Sequence, residues 1–164
     1  STRIGLTVPK AGTNIDSIPL FTGTVTLEPS KYYSAYLTDT AVKTKLVLVT
    51  DDISTPADNT SRYTFLNLMP NVPTMDLYFG PTKVASDVAY TMQSPSFLLN
   101  RGDTAHWYIR TGGSTTATPF IAVYPALNAS PTTVPNKRVL TAFSRGYNTG
   151  TGTKLPNVSF LYNQ

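Results

Sequence analysis

The chain contains one and a half copies of the same unit, and that arithmetic limits what its residues can build. Thr2-Arg3-Ile4-Gly5-Leu6-Thr7-Val8, then Ala11-Gly12-Thr13 and Pro19-Leu20-Phe21, is echoed by Thr104-Ala105-His106-Trp107-Tyr108-Ile109-Arg110, Gly112-Gly113-Ser114 and Pro119-Phe120-Ile121. Lys31-Tyr32-Tyr33-Ser34-Ala35-Tyr36-Leu37 aligns with Lys137-Arg138-Val139-Leu140-Thr141-Ala142-Phe143, and Lys45-Leu46-Val47-Leu48-Val49 with Asn157-Val158-Ser159-Phe160-Leu161. Residues 1–53 therefore read as the C-terminal half of a first repeat. Residues 54–60 read as a polar, Pro-containing linker, and 61–164 as a complete second repeat. A repeat that cannot bury its apolar face alone takes its other half from elsewhere.

The repeat unit is built of strands. Ile4, Leu6 and Val8 alternate with polar neighbours, as do Met75, Leu77 and Phe79 against Asp76 and Tyr78, and Trp107 and Ile109 against Tyr108 and Arg110. Period two over four to seven residues is the strand signature. Breakers such as Glu28-Pro29-Ser30, Gly80-Pro81, Arg101-Gly102-Asp103 and Tyr147 to Gly152 separate the runs. The expected fold is all-β: tandem immunoglobulin-like antiparallel β-sandwiches, the first incomplete. The strands absent from residues 1–53 correspond to Arg62 through about Asp103. The half repeat is thus expected to pack against an upstream segment or another subunit, since open sheet edges and a bare apolar face invite pairing. Ser1 opens almost directly onto a strand pattern, which predicts a native start further upstream. The Pro-rich stretch Tyr124 to Asn136 is longer than its counterpart, Gly23 to Ser30, and belongs at a sandwich edge.

Composition narrows the partners. Thirteen Lys and Arg against nine Asp and Glu give a net charge of +4, spread along the chain with Lys137-Arg138 as the one adjacent basic pair. Nucleic-acid binders concentrate such charge, so no nucleic-acid partner is expected. There is no cysteine, which excludes disulfides, thiolate metal sites and a thiol nucleophile. No apolar run approaches the roughly 20 residues that span a bilayer, and no leader-peptide pattern is present.

The stretch Arg62-Tyr63-Thr64-Phe65-Leu66-Asn67-Leu68-Met69-Pro70-Asn71-Val72-Pro73-Thr74-Met75-Asp76-Leu77-Tyr78 resembles the opening of the domain of unknown function DUF4397. That family begins with a strand, an Asn-x-x-Pro turn and a strand ending in Asp-hydrophobic-Tyr. Val84-Ala85, Val88-Ala89-Tyr90 and Ser96-Phe97-Leu98-Leu99 continue the pattern. In the half unit, Thr26-Leu27-Glu28-Pro29-Ser30-Lys31-Tyr32-Tyr33 is similar to the family's Thr-Leu-x-x-Gly-Lys-x-Tyr segment, with Ser30 where Gly is usual. Leu46 to Asp52 is similar to its closing strand. The resemblance implies a bacterial cell-surface or secreted lipoprotein, commonly of tandem repeats, anchored through an upstream lipidated cysteine. It brings no catalytic residues.

The residues themselves point to binding rather than catalysis. His106 is the only histidine, so a triad could form only around it, and no activity or cofactor is expected. No metal site is expected either, for want of several Cys or His ligands. Asp51, Asp52 and Asp58 lack a calcium-loop pattern and read as strand-end and linker groups. Glu28 is the only Glu, and Gly150-Thr151-Gly152 is a turn rather than a phosphate loop. Asp76 is expected to accept backbone N–H bonds from the Pro70–Pro73 turn. The aromatic inventory gives Tyr32, Tyr36, Trp107 and Tyr108 as candidate binding residues, with Tyr32 and Tyr36 on one strand face suited to a glycan or a protein, against the plain alternative that Tyr is simply a good strand residue. Asp16-Ser17-Ile18, Asp39-Thr40-Ala41 and Asp103-Thr104-Ala105 resemble a bacterial O-glycosylation signal, making Ser17, Thr40 and Thr104 candidate acceptors. The expected role is a non-catalytic surface module for binding, adhesion or spacing. The alternative is a structural subunit of a surface assembly completed by strands of another chain.

Overall fold

The computed structural model describes residues 1–164 apart from Ala41 and Val42 and the side chains of Asp16 and Ser17. The fold is all-β, with no α-helix among the described residues. It divides into two compact units, Ser1–Asp51 and Asp52–Gln164.

The first unit is two hairpins. β1 (Thr2–Pro9) pairs antiparallel with β2 (Asp16–Val25), from Thr2 opposite Val25 to Pro9 opposite Asp16. β3 (Tyr32–Thr38) pairs with β4 (Lys45–Asp51), from Tyr32 opposite Asp51 to Thr38 opposite Lys45. Each hairpin is a two-stranded sheet with no further strand on either edge among the described residues. The alternation that forms these strands has little to pack on. Among the described residues only Thr38, Val47 and Val49 are buried, while Leu6, Ile18, Leu27 and Leu37 lie exposed.

The second unit is a sandwich of two four-stranded sheets. One runs β7 (Thr82–Ala89), β6 (Thr74–Phe79), β10 (Trp107–Thr111), β11 (Ala122–Tyr124), all antiparallel. The other runs β8 (Phe97–Asn100), β5 (Thr60–Leu66), β13 (Val139–Arg145), β14 (Asn157–Tyr162), in which β5 and β13 are parallel. β9 (Thr104–Ala105) and β12 (Thr132–Thr133) form a separate short ladder. Period two sends Tyr63 and Phe65, Met75, Leu77 and Phe79, Trp107 and Ile109, and Leu140 and Ala142 into one core. Each large side chain so buried stabilises the fold by about 1.5–3 kcal/mol.

The strand order departs from the immunoglobulin arrangement, in which the first two strands share a sheet. Here β5 sits between β8 and β13, while β6 belongs to the opposite sheet. The physical reason is the connection from β5 to β6, which crosses between sheets instead of turning back. Pro70 and Pro73 keep it out of helix and hairpin geometry, and the fully buried Asn67 fastens it. Asn67 Nδ2 donates to the carbonyls of Val72 (3.2 Å) and Val88 (3.0 Å), and its Oδ1 accepts from Met69 N–H (3.1 Å) and Ser144 Oγ (3.2 Å). Asp76 does not serve this turn.

Two segments are more tightly held than their composition suggests. Within 54–60, Pro56 is buried, Asp58 pairs with Lys137 at 2.7 Å, and Asn59 N–H donates to Asn136 at 2.9 Å. Arg62 donates to both Ser54 oxygens and pairs with Asp52. In the Pro-rich stretch, Trp107 Nε1 donates to Thr132 Oγ1 (2.9 Å), and Val134 is buried with its N–H on Asp103 O (2.8 Å).

Candidate binding site

Alternation that sends Leu77 and Ile109 into the core sends Asp76 and Tyr78 on β6, and Tyr108 and Arg110 on β10, to the outer face. Arg110 stands opposite Asp76 in the register, and Tyr108 opposite Tyr78. An outer sheet face is ordinarily wet. This one is roofed by the β10–β11 connection, so Asp76 is 0%, Tyr78 2% and Arg110 8% exposed. Asp76 Oδ2 accepts from Lys83 Nζ (2.6 Å), Ser114 N–H (2.8 Å) and Ser114 Oγ (2.8 Å), and Oδ1 from Asp87 N–H (2.7 Å). Tyr78 donates its hydroxyl to Ser114 O at 2.8 Å. The roof leaves β10 at Gly112, where an added Cβ would collide with Thr74 Oγ1.

The electrostatics follow from these contacts. Burial alone pushes the Asp76 carboxyl up, but the N–H of Asp87, the Lys83 ammonium and the two Ser114 donors outweigh it and hold the group below its ordinary value. The hydrogen bond to Asp76 is the main cause that raises Lys83, against a smaller effect of burial.

Arg110 is placed differently. Its guanidinium carbon lies 5.3 Å from the Tyr78 ring centroid and 5.5 Å from that of Tyr108. Its Nε has no hydrogen-bond partner, and among the described residues the side chain makes no ion pair. With Lys83 also over the Tyr78 ring at 5.5 Å, two cations face one carboxylate. Arg110 lines an open groove of about 570 Å³ whose walls include Tyr108, Phe120, Pro81, Pro119 and Leu127. A guanidinium set among aromatic and apolar walls is chemically suited to an anion. A second cavity of about 490 Å³ is lined by Tyr63, Trp107, Tyr124, Leu140, Val158 and Tyr162 among others. There, burial pushes the Tyr63 phenol up.

The residues singled out from the sequence fall apart in space. Trp107 is not on an exposed aromatic surface: it is 2% exposed, packed on Phe79 and Phe160 at 4.7 and 5.1 Å between ring centroids. Tyr108 is half-buried on the opposite face, 5.6 Å from the Phe120 ring. Adjacent strand residues point to opposite faces, so these two cannot form one site. In the first unit Tyr32 is exposed and Tyr36 half-buried on one face of β3. Thr40 is exposed, its N–H on Asp39 Oδ1 at 2.8 Å, while its neighbour Ala41 lies outside the described residues. The Ser17 side chain also lies outside them. Thr104 is exposed, its hydroxyl donating to Gly102 O at 3.1 Å. His106 is half-buried with Nδ1 3.0 Å from Pro125 O. Asp51, Asp52 and Asp58 have separate partners, Ser34, Arg62 and Lys137, and among the described residues no cluster of three metal-ligating side chains forms. Arg110 was not legible as a site residue. Its one signal is a charge on an alternating strand opposite Asp76.

Residues 4–78 match the family described as Domain of unknown function (DUF4397). The match opens in β1, runs through both hairpins of the first unit and closes at Tyr78 in β6, taking in the whole of Arg62 to Tyr78. It therefore crosses the division between the units after Asp51. No curated protein matches the chain.

Proposed function

We propose that this chain is a tandem of repeats of that family, a non-catalytic module exported to the bacterial cell surface, where it binds glycan or protein or spaces other domains. The observation that carries the reading is the state of its buried polar cluster. Asp76 is saturated by four donors, and the group left over is a guanidinium, which binds anions but neither attacks nor abstracts protons. The exported setting rests on the family match together with the Asp-Ser/Thr triplets, and membrane attachment would come from a lipid anchor upstream. Tyr32 and Tyr36 remain the test surface. On immobilised cell-wall polysaccharide or surface protein, the intact chain should be retained and the Tyr32→Ala/Tyr36→Ala variant should not, with unchanged circular dichroism. Equal retention of the variant removes that surface, and turnover of glycoside, ester or peptide substrates removes the non-catalytic reading.

A second reading, a structural subunit completed by strands from elsewhere, is favoured by the open edges of the first unit. The repeat aligns β1–β2 with β10–β11 and β3–β4 with β13–β14. In the second unit β10 takes β6 on its other edge and β13 takes β5 in parallel. The first unit would thus take one antiparallel strand on β1 and one parallel strand on β3. Intact mass under native and denaturing conditions tests this. Native multimers of a chain of the expected denatured mass point to another subunit, and a larger denatured mass points to an upstream segment. A stable monomer of 164 residues argues against completion.

A further inference from the structure

We propose that Arg110 is the anion receptor of a binding groove for a carboxylate carried on a ring-shaped or apolar body. A guanidinium is a fixed fork of five donors, and the Nε of Arg110 is buried without a hydrogen-bond partner, which is unfavourable unless something else supplies one. The nearest buried carboxylate, Asp76, cannot: its oxygens are taken by Lys83, Ser114 and the Asp87 N–H. The two tyrosine rings at 5.3 and 5.5 Å offset part of the cost through cation–π attraction but satisfy no N–H. The side chain nonetheless lines a groove of about 570 Å³, within the size range of small-ligand sites.

The chemistry of the walls selects the ligand. One unpaired cation matches a single negative charge, and the guanidinium fork matches the two oxygens of a carboxylate in plane. Tyr108 and Phe120, with Pro81, Pro119 and Leu127, offer apolar surface for the body that carries it, and Thr116 and Thr118 add hydroxyls at the rim. Both a uronic-acid sugar and a hydrophobic or aromatic acid have this chemistry. The site lies in the second unit and is independent of the Tyr32 and Tyr36 surface, so either can fail without the other.

The experiment is a titration of the full chain, followed by two-dimensional NMR of its amides and of the arginine Nε–H, with glucuronate and with benzoate. Glucose and benzamide serve as the matched neutral probes. Saturable shifts at Arg110, Tyr108 and Phe120 with an acid, absent with its neutral partner and lost in Arg110→Met, are expected. Glucuronate alone acting assigns a sugar acid, and benzoate alone an aromatic one. Phe120→Ala, at an exposed wall, should weaken the shift at least threefold and keeps the test available should Arg110→Met fold poorly. No saturable shift with either acid up to tens of millimolar, or equal shifts with the neutral probes, overturns the proposal.

Discussion

Arg110 and Asp76 stand directly opposite each other on neighbouring strands, both buried, and do not pair. The carboxylate is committed instead to Lys83 and to the roof of the sheet face through Ser114. One residue therefore organises structure, and the other is left with only ring contacts. That asymmetry sets opposite expectations for two substitutions on the same face.

Asp76→Asn keeps the shape but removes the charge that four donors converge on, leaving Lys83 partly buried without its counter-ion. Breaking one side of a buried pair costs about 3–5 kcal/mol, so a loss near the lower figure is expected in urea unfolding. Arg110→Met removes a charge that nothing neutralises and fills much the same volume. Its stability should stay within about 2 kcal/mol of the parent or exceed it, since the cation–π attraction of a desolvated guanidinium, worth about 2 kcal/mol, is offset by the cost of burying an unneutralised charge. A larger loss in Arg110→Met than in Asp76→Asn would show that the roles have been assigned the wrong way round.

The same carboxylate makes stability depend on pH. Its folded pKa lies below the ordinary value, so its contribution is complete above the unfolded carboxylate value of about 3.9 and disappears as pH falls through the folded one. The gap in stability between parent and Asp76→Asn should therefore be constant near neutrality and shrink from about pH 4 downward. Asp51 has the opposite sign: burial raises it, partly opposed by the Ser34 hydroxyl, so its ionisation weighs against the folded form above its folded value. A gap that widens in acid would contradict the assignment for Asp76.

Alternation made the strands and much of the core readable in advance. Met75, Leu77, Phe79 and Ile109 are buried as their period required. Trp107 belongs to the same pattern, which buries it and turns Tyr108 to the outer face. What could not be read was what covers the outer face. Asp76 and Arg110 look solvent-exposed by periodicity, and it is the loop carrying Ser114, 38 residues beyond Asp76, that takes the carboxylate out of water. The strand order was hidden for a related reason. It depends on Asn67 reaching Val88 and Ser144, contacts that no local pattern announces.

Gly146 ends β13 with φ +87°, and a Cβ there would collide with Leu155 O. Left-handed backbone disfavours a side chain by about 1 kcal/mol, and a clash with main chain cannot be relieved by a rotamer change. Gly146→Ala should therefore lose about 2 kcal/mol or more, read as a lower melting temperature of the second unit. Unchanged melting would mean that the turn from Arg145 to Leu155 moves freely, against the hydrogen bond from Tyr147 N–H to Lys154 O at 2.9 Å.

The two units should differ most in how easily they open. Exchange protection follows local burial and paired backbone. β5, β6, β10 and β13 have strands on both sides and a shared core, whereas β1 to β4 have one partner each and three buried side chains among their described residues. Amides of the first unit should exchange at least about 100-fold faster, a difference of roughly 3 kcal/mol at tenfold per 1.4 kcal/mol. Within β1 and β3 the effect should alternate. Amides facing β2 or β4 are hydrogen-bonded, while the far edge has no neighbouring strand among the described residues. If strands from outside residues 1–164 complete this unit, the far-edge amides of β1 and β3 should become protected when the partner is present, with little change in β2 and β4. Uniform protection of the isolated chain across both units would instead mean that the two hairpins are stable without help, and the case for completion would lapse.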